Sequence, residues 1–159
     1  MLTDQEKRFL SRAIELSAKA LNGSQGGPFG CVIVKDGNII SEGCNQVLAA
    51  NDPTAHAEIV AIRQACMRLK SFQLDECEIY ASCEPCPMCL GAIYWARPKR
   101  VIYANTRRDA ALIEFDDEFI YQEINAEPIQ RKIPFIHAPE PLALTIFEEW
   151  RKIKERKVY

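Results

Sequence analysis

Apolar residues in the first part of the chain recur at the spacing of one helical face: Phe9, Leu10, Ala13, Ile14 and Leu21, with Ser17 in the same row. Thr3 and Glu6 in TDQE form a capping box ahead of them, and Asn22-Gly23 marks the end. After the glycine-rich stretch GSQGGPFG the period shortens. FGCVIVKDGNIISEG reads as two short strands turning at Asp36-Gly37, a strong hairpin signal. A second helix is predicted from Asp52-Pro53, with Asp as N-cap and Pro at the first helical position, through HAEIVAIRQACMRL to about Leu69. Residues 77–82, CEIYAS, alternate like a strand. MCLGAIYWA predicts a third helix, stopped by Pro98, and RVIYA at 100–104 another strand.

Past residue 105 the pattern weakens. IEFDDEFIYQEI contains a short helix with acidic residues at its start, and 133–137 is predicted as a strand. LALTIFEEWRKIKERK predicts a last helix whose basic end suits its C-terminus. There is no internal repeat and no linker long enough to divide the chain, so residues 1–159 are read as one layered α/β domain with a mixed sheet.

Composition narrows the function. The chain has 159 residues, 48% hydrophobic and 26% charged, with a formal net charge of −2, as expected of a globular domain. That charge argues against binding nucleic acid chiefly through phosphates. No apolar run approaches the roughly 18 residues of a membrane span, and the N-terminus is charged from Asp4, unlike a signal peptide. Seven cysteines, three of them within CEPCPMC, do not read as an extracellular disulfide framework. A cytoplasmic protein is expected, with some cysteines reserved for metal or catalysis.

The candidate chemistry sits in two segments, PTAHAE at 53–58 and EPCPMC at 84–89, each placed in the opening turn of a helix. Such a terminus carries unpaired amides and a positive partial charge, which lower thiol pKa values. His56, Cys86 and Cys89 can supply one nitrogen and two thiolates to a zinc ion, leaving a fourth tetrahedral position for water. Water so placed ionises near neutral pH and becomes a hydroxide nucleophile. Glu58, two residues past His56, is close enough to exchange a proton with it. This H-x-E and P-C-x-x-C pattern resembles that of zinc deaminases. Cys83 also makes a C-x-x-C with Cys86, so a closed structural zinc site with Cys83 as fourth ligand remains an alternative. Cys31, Cys44, Cys66 and Cys77 fall in apolar elements and read as core residues.

PTAHAE and EPCPMCLGAIYWARPK resemble the two zinc motifs of the cytidine deaminase superfamily, purine branch. GGPFG, NDPTAHAEIVAIR, FDDEFIY and the terminal tyrosine are most similar to the small bacterial zinc-dependent guanine deaminases. The resemblance implies a three-layer α/β/α cytidine-deaminase-like fold with a mixed central sheet. It also implies one zinc per subunit on His56, Cys86 and Cys89, and Glu58 as proton shuttle. The implied reaction is hydrolysis of guanine to xanthine and ammonia; deamination of another nucleobase or nucleoside, or of adenosine at a tRNA wobble position, is the alternative. Asn45 matches a base-binding position, its amide offering both donor and acceptor, though asparagine there equally suits a turn. Phe29 stacks on a base or belongs to the core; Trp95 lines the pocket or packs on a helical face. Asp117 matches an acidic position facing substrate, while Asp116 and Asp117 together also suit a helix N-terminus. Tyr159 matches a terminal tyrosine that reaches an active site. The partners implied are a small purine and a second copy of the chain, with the C-terminal segment either folded back or exchanged.

Overall fold

The capping box at Thr3 starts helix α1 (Asp4–Asn22) in the computed structural model, which describes residues 1–158: Thr3 Oγ1 accepts from the Glu6 amide and the Glu6 carboxylate from the Thr3 amide. Strands β1 (Gly30–Lys35) and β2 (Asn38–Cys44) follow as the expected hairpin. Asp36 and Gly37 both adopt positive φ, the backbone that a two-residue turn needs to follow strand twist. Then come α2 (Val47–Ala50), α3 (Ala57–Leu69), β3 (Cys77–Cys83), α4 (Pro87–Ala96), β4 (Arg100–Asn105) and α5 (Arg107–Ala111). By contacts the chain divides into two units, Met1–Asp117 and the segment from Glu118 onward.

The sheet order is β2-β1-β3-β4. β1 is antiparallel to both its neighbours, while β3 and β4 are parallel and joined across α4. The sheet is therefore mixed. It follows that β2, β3 and β4 all run the same way, so their carboxyl ends share one edge with the start of β1. Ligand sites of open α/β sheets lie at such an edge.

Helices cover both faces. Val32, Val34 and Tyr80 pack with Ala13, Leu16 and Ala20 of α1; Cys31, Ile33 and Ile79 pack with Ala57, Ala61 and Ala65 of α3 and Ile93 and Ala96 of α4. This is the three-layer α/β/α arrangement. Burial on both sides is why CVIV is apolar throughout rather than alternating. Close approach is purchased with small residues. A Cβ at Gly30 would lie 2.1 Å from the Ala13 carbonyl oxygen, and one at Gly43 would lie 2.2 Å from that of Ala57. Ser41 Oγ donates to the Ala61 carbonyl at 2.9 Å, fastening α3 to β2. Arg100 links β4 to Glu78 of β3 and to Glu6 of α1.

Several boundaries differ from the sequence reading. The helix expected from Asp52-Pro53 begins at Ala57, because Asp52 caps a local turn instead: its Oδ1 accepts from the Thr54 amide at 2.8 Å and hydroxyl at 2.7 Å. The short helices α2 and α5 were not expected. The predicted strand at 133–137 is absent, and that stretch is irregular. Pro134 removes a ladder donor there and biases its neighbour's backbone, and no sheet strand pairs with the segment. The unit from Glu118 holds α6 (Glu118–Asn125), a 3-10 turn at Pro128–Gln130 and α7 (Pro141–Lys152). The last helix stops five residues short of its predicted end, where the charged run no longer offers an apolar face. Within this unit Arg131 lies 4.6 Å over the Phe135 ring. Among the described residues no helix is long and apolar enough to cross a membrane.

The contact at Gly43 makes a prediction. Gly43→Ala drives a methyl into the α3 backbone, so urea unfolding should show a loss of about 1–3 kcal/mol. Unchanged stability would mean that α3 can move away from β2 freely.

Candidate metal centre and active site

Moving the start of α3 from residue 53 to residue 57 has a chemical consequence. It makes His56 the N-cap of α3, just as Cys86 is the N-cap of α4, and both have extended backbone. Neither side chain caps its own helix, so both project freely from the helix start. Cys89 lies three residues on, in the first turn of α4, buried. Pro87 at the first helical position costs α4 no hydrogen bond.

The three side chains converge. His56 Nδ1 lies 3.5 Å from Cys86 Sγ and 3.6 Å from Cys89 Sγ, and all three atoms fall within 4.8 Å of one another. Zinc–sulfur and zinc–nitrogen bonds of about 2.3 and 2.05 Å at a tetrahedral angle put nitrogen and sulfur about 3.6 Å apart. The residues present therefore fit zinc in both donor chemistry and spacing. Three donors leave one of four positions open.

Protonation in the cluster is coupled. The Cys89 thiol donates to Cys86 and holds the Cys86 thiol down at about 4, with His56 adding to the effect. Cys89 itself is pushed up, by that hydrogen bond and by burial. His56 is raised by its contact with Cys86. Of the two thiols Cys86 is the one that ionises more readily. Cys83 is not part of this group: it is buried, its thiol donates to the Thr106 carbonyl at 3.5 Å, and burial pushes it up to about 11.

Glu58 sits on the first turn of α3, only 8% exposed, with its carboxyl raised chiefly by burial. It interacts electrostatically with both His56 and Cys86. A carboxyl that resists ionisation in contact with this cluster can both take and return a proton.

The remaining candidates line the same edge. Asn45 directly follows β2 and is 4% exposed; its amide donates to the Phe29 carbonyl at 3.0 Å, and its Oδ1 accepts from the Val47 amide at 3.1 Å. Phe29, entering β1, packs on the core and meets Phe115 edge to face, ring centres 5.0 Å apart. Asp117 is half-buried; burial and the charge of Cys86 raise its carboxyl, and Arg107 opposes them. The sheet edge thus gathers Phe29, Asn45, Glu58 and the three ligands, with Asp117 within the field of Cys86. Trp95 is not gathered with them. It is 63% exposed, and helical rotation turns it away from the buried face of Cys89, Ile93 and Ala96. Tyr159 lies outside the described residues. Phe115 escaped the sequence reading although it opens the quoted motif FDDEFIY; an aromatic beside two acids carries no signal until its partner, Phe29, is known.

The profile of the cytidine and deoxycytidylate deaminase zinc-binding region matches residues 3–105. The chain belongs to this deaminase family. Among curated relatives of the family, guanine deaminase of Bacillus subtilis is 56% identical over 151 residues, covering 95% of this chain and 97% of its own. The crystal structure of a Bacillus subtilis guanine deaminase superposes with a TM-score of 0.94 at 53% identity, covering 99% of both chains. A tRNA-specific adenosine deaminase of Aquifex aeolicus is 48% identical over 77 residues, 48% of this chain and 51% of its own.

For this deaminase chain the open and closed zinc sites are separable. Cys83→Ala should leave zinc affinity within about twofold in a chelator competition, whereas Cys89→Ala should lower it by more than about a hundredfold. A comparable loss for both would favour a four-ligand structural site.

Proposed function

We propose that this protein hydrolyses guanine to xanthine and ammonia, with one zinc per subunit held by His56, Cys86 and Cys89. The observation that carries the reading is likeness to a guanine deaminase along nearly the whole length of both chains, sequence and fold together. The likeness to a tRNA adenosine deaminase spans about half the chain, and the net charge of −2 gives no electrostatic footprint for RNA.

When bound, zinc supplies Lewis-acid activation of water at neutral pH. The protein's own groups do the rest. Guanine carries a hydrogen on N1 but none on N3, so N3 is the ring nitrogen beside C2 that can accept a proton. Glu58 takes the proton released by water and delivers it to N3 as oxygen bonds to C2. It then carries the hydroxyl proton to the departing amine, and the C2–N bond breaks to release ammonia. Burial keeps Glu58 from being held as a permanent anion, which suits a group that must load and unload a proton in each turnover. Asp117, whose carboxyl feels the charge of Cys86, is the second carboxyl and assists proton movement at the exocyclic amine. Asn45 and Phe29 hold the base by its edge and its face.

A cytoplasmic homodimer completes the proposal. Leu90 and Tyr94 on α4, and Leu144, Phe147 and Trp150 on α7, are exposed apolar residues that a second copy would cover. A C-terminal segment whose Tyr159 serves an active site, exchanged with the second copy or folded back on its own chain, is part of this reading, as is Trp95 as a pocket residue.

Two measurements test it. With free guanine, guanosine, adenine, cytosine and a tRNA anticodon stem-loop assayed side by side, guanine should give the highest kcat/KM; preference for the stem-loop would overturn the assignment. Glu58→Gln should keep its zinc and lose about 100- to 10,000-fold in kcat. Near-wild-type turnover in that variant would remove Glu58 from the chemistry.

A further inference from the structure

The glycine-rich loop between α1 and β1 faces the proposed base-binding residues at very short range. A Cβ at Gly26 would lie 1.9 Å from Asn45 Oδ1 and 2.9 Å from its Cγ. A Cβ at Gly27 would lie 2.8 Å from both Phe115 Cζ and Phe29 Cε2. Neither glycine has a positive φ; among the described glycines only Gly37 does. Space, not backbone freedom, is what these two positions require.

The loop cannot simply retreat. The Gln25 carbonyl accepts from the Leu48 amide at 3.0 Å and the Ala49 amide at 3.1 Å, and the Cys44 thiol donates to Gln25 Oε1 at 3.1 Å. Three hydrogen bonds therefore fasten the loop to the segment on both sides of Asn45. The Asn45 carboxamide is held by less: Oδ1 has the Val47 amide, while among the described residues no side chain accepts from its NH2 group. A methyl at Gly26 would push the carboxamide out and leave the loop where it is.

We infer that Gly26 is a positioning residue, which sets the orientation of the Asn45 carboxamide and with it the purine edge the site accepts. Gly26 leaves Oδ1 room to take the Val47 N–H, which leaves the NH2 group uncommitted to that bond. With one hydrogen bond to Oδ1 already taken by the Val47 amide, the NH2 group is the part of Asn45 left to bind, which favours a base presenting an acceptor, such as the guanine carbonyl or an unprotonated ring nitrogen. Gly27 continues the same wall under the Phe29–Phe115 pair.

The inference rests on the reading of Asn45 as a base contact, and a double-mutant cycle separates the two. Gly26→Ala should keep its zinc, measured by metal analysis, and lose about 10- to 100-fold in kcat/KM for guanine, mainly through KM. In an Asn45→Ala background the same substitution should cost less than about twofold, because the group it displaces is gone. If G26A does not fold, G26A/N45A should fold, since truncating Asn45 removes the clash; failure of the double variant to recover would overturn the inference. Unaltered kinetics in G26A, or losses that multiply with N45A, would overturn the inference alone. Unaltered kinetics in N45A would overturn the reading of Asn45 and the inference with it.

Discussion

His56 and Cys86 are the N-caps of two different helices, and the 3.5 Å between their ligand atoms is the constraint on which the rest of the structure depends. A helix start is a poor place to leave a side chain uncommitted, because four amides there lack partners. Here both cap residues withhold their side chains from that duty and aim them at each other. Parallel packing of β3 and β4 places the start of α4 at the carboxyl edge of the sheet, and seating of α3 against Gly43 of β2 brings its start to the same edge. How closely two helices approach one sheet is what brings these candidate ligands together.

That arrangement also sets the electrostatics. Two helix N-termini direct positive partial charge at the cluster and favour the Cys86 thiolate. Glu58 occupies the same positive region, yet burial outweighs it and raises the carboxyl. The site therefore keeps an anionic sulfur beside a carboxyl that resists ionisation.

Much of this was legible in residue order. The His-x-Glu and Pro-Cys-x-x-Cys spacings name the donors because ligand chemistry is a property of side-chain type. The Thr3–Glu6 cap and the Asp36-Gly37 turn are local, settled by residues within a few positions of one another, and they stand as expected. The start of α3 was not legible. Asp52-Pro53 is an equally good helix signal, and only the competing hydrogen bonds from Thr54 decide against it. The strand expected at 133–137 failed for a related reason: apolar residues around Pro134 satisfy a composition rule, but a strand exists only if another strand lends it hydrogen bonds.

What the sequence by itself determined, then, was the inventory: one imidazole, two thiols, one carboxyl beside them, and the alternation that builds a doubly covered sheet. Tertiary structure decided how the inventory is spent. It excluded Cys83 by giving its thiol to Thr106, turned Trp95 away from the ligands, and paired Phe29 with Phe115. It also chose which atom of the Asn45 amide is committed to the backbone. Each of these outcomes depends on groups distant in the chain meeting at a few ångströms, and no local pattern of side chains carries that distance.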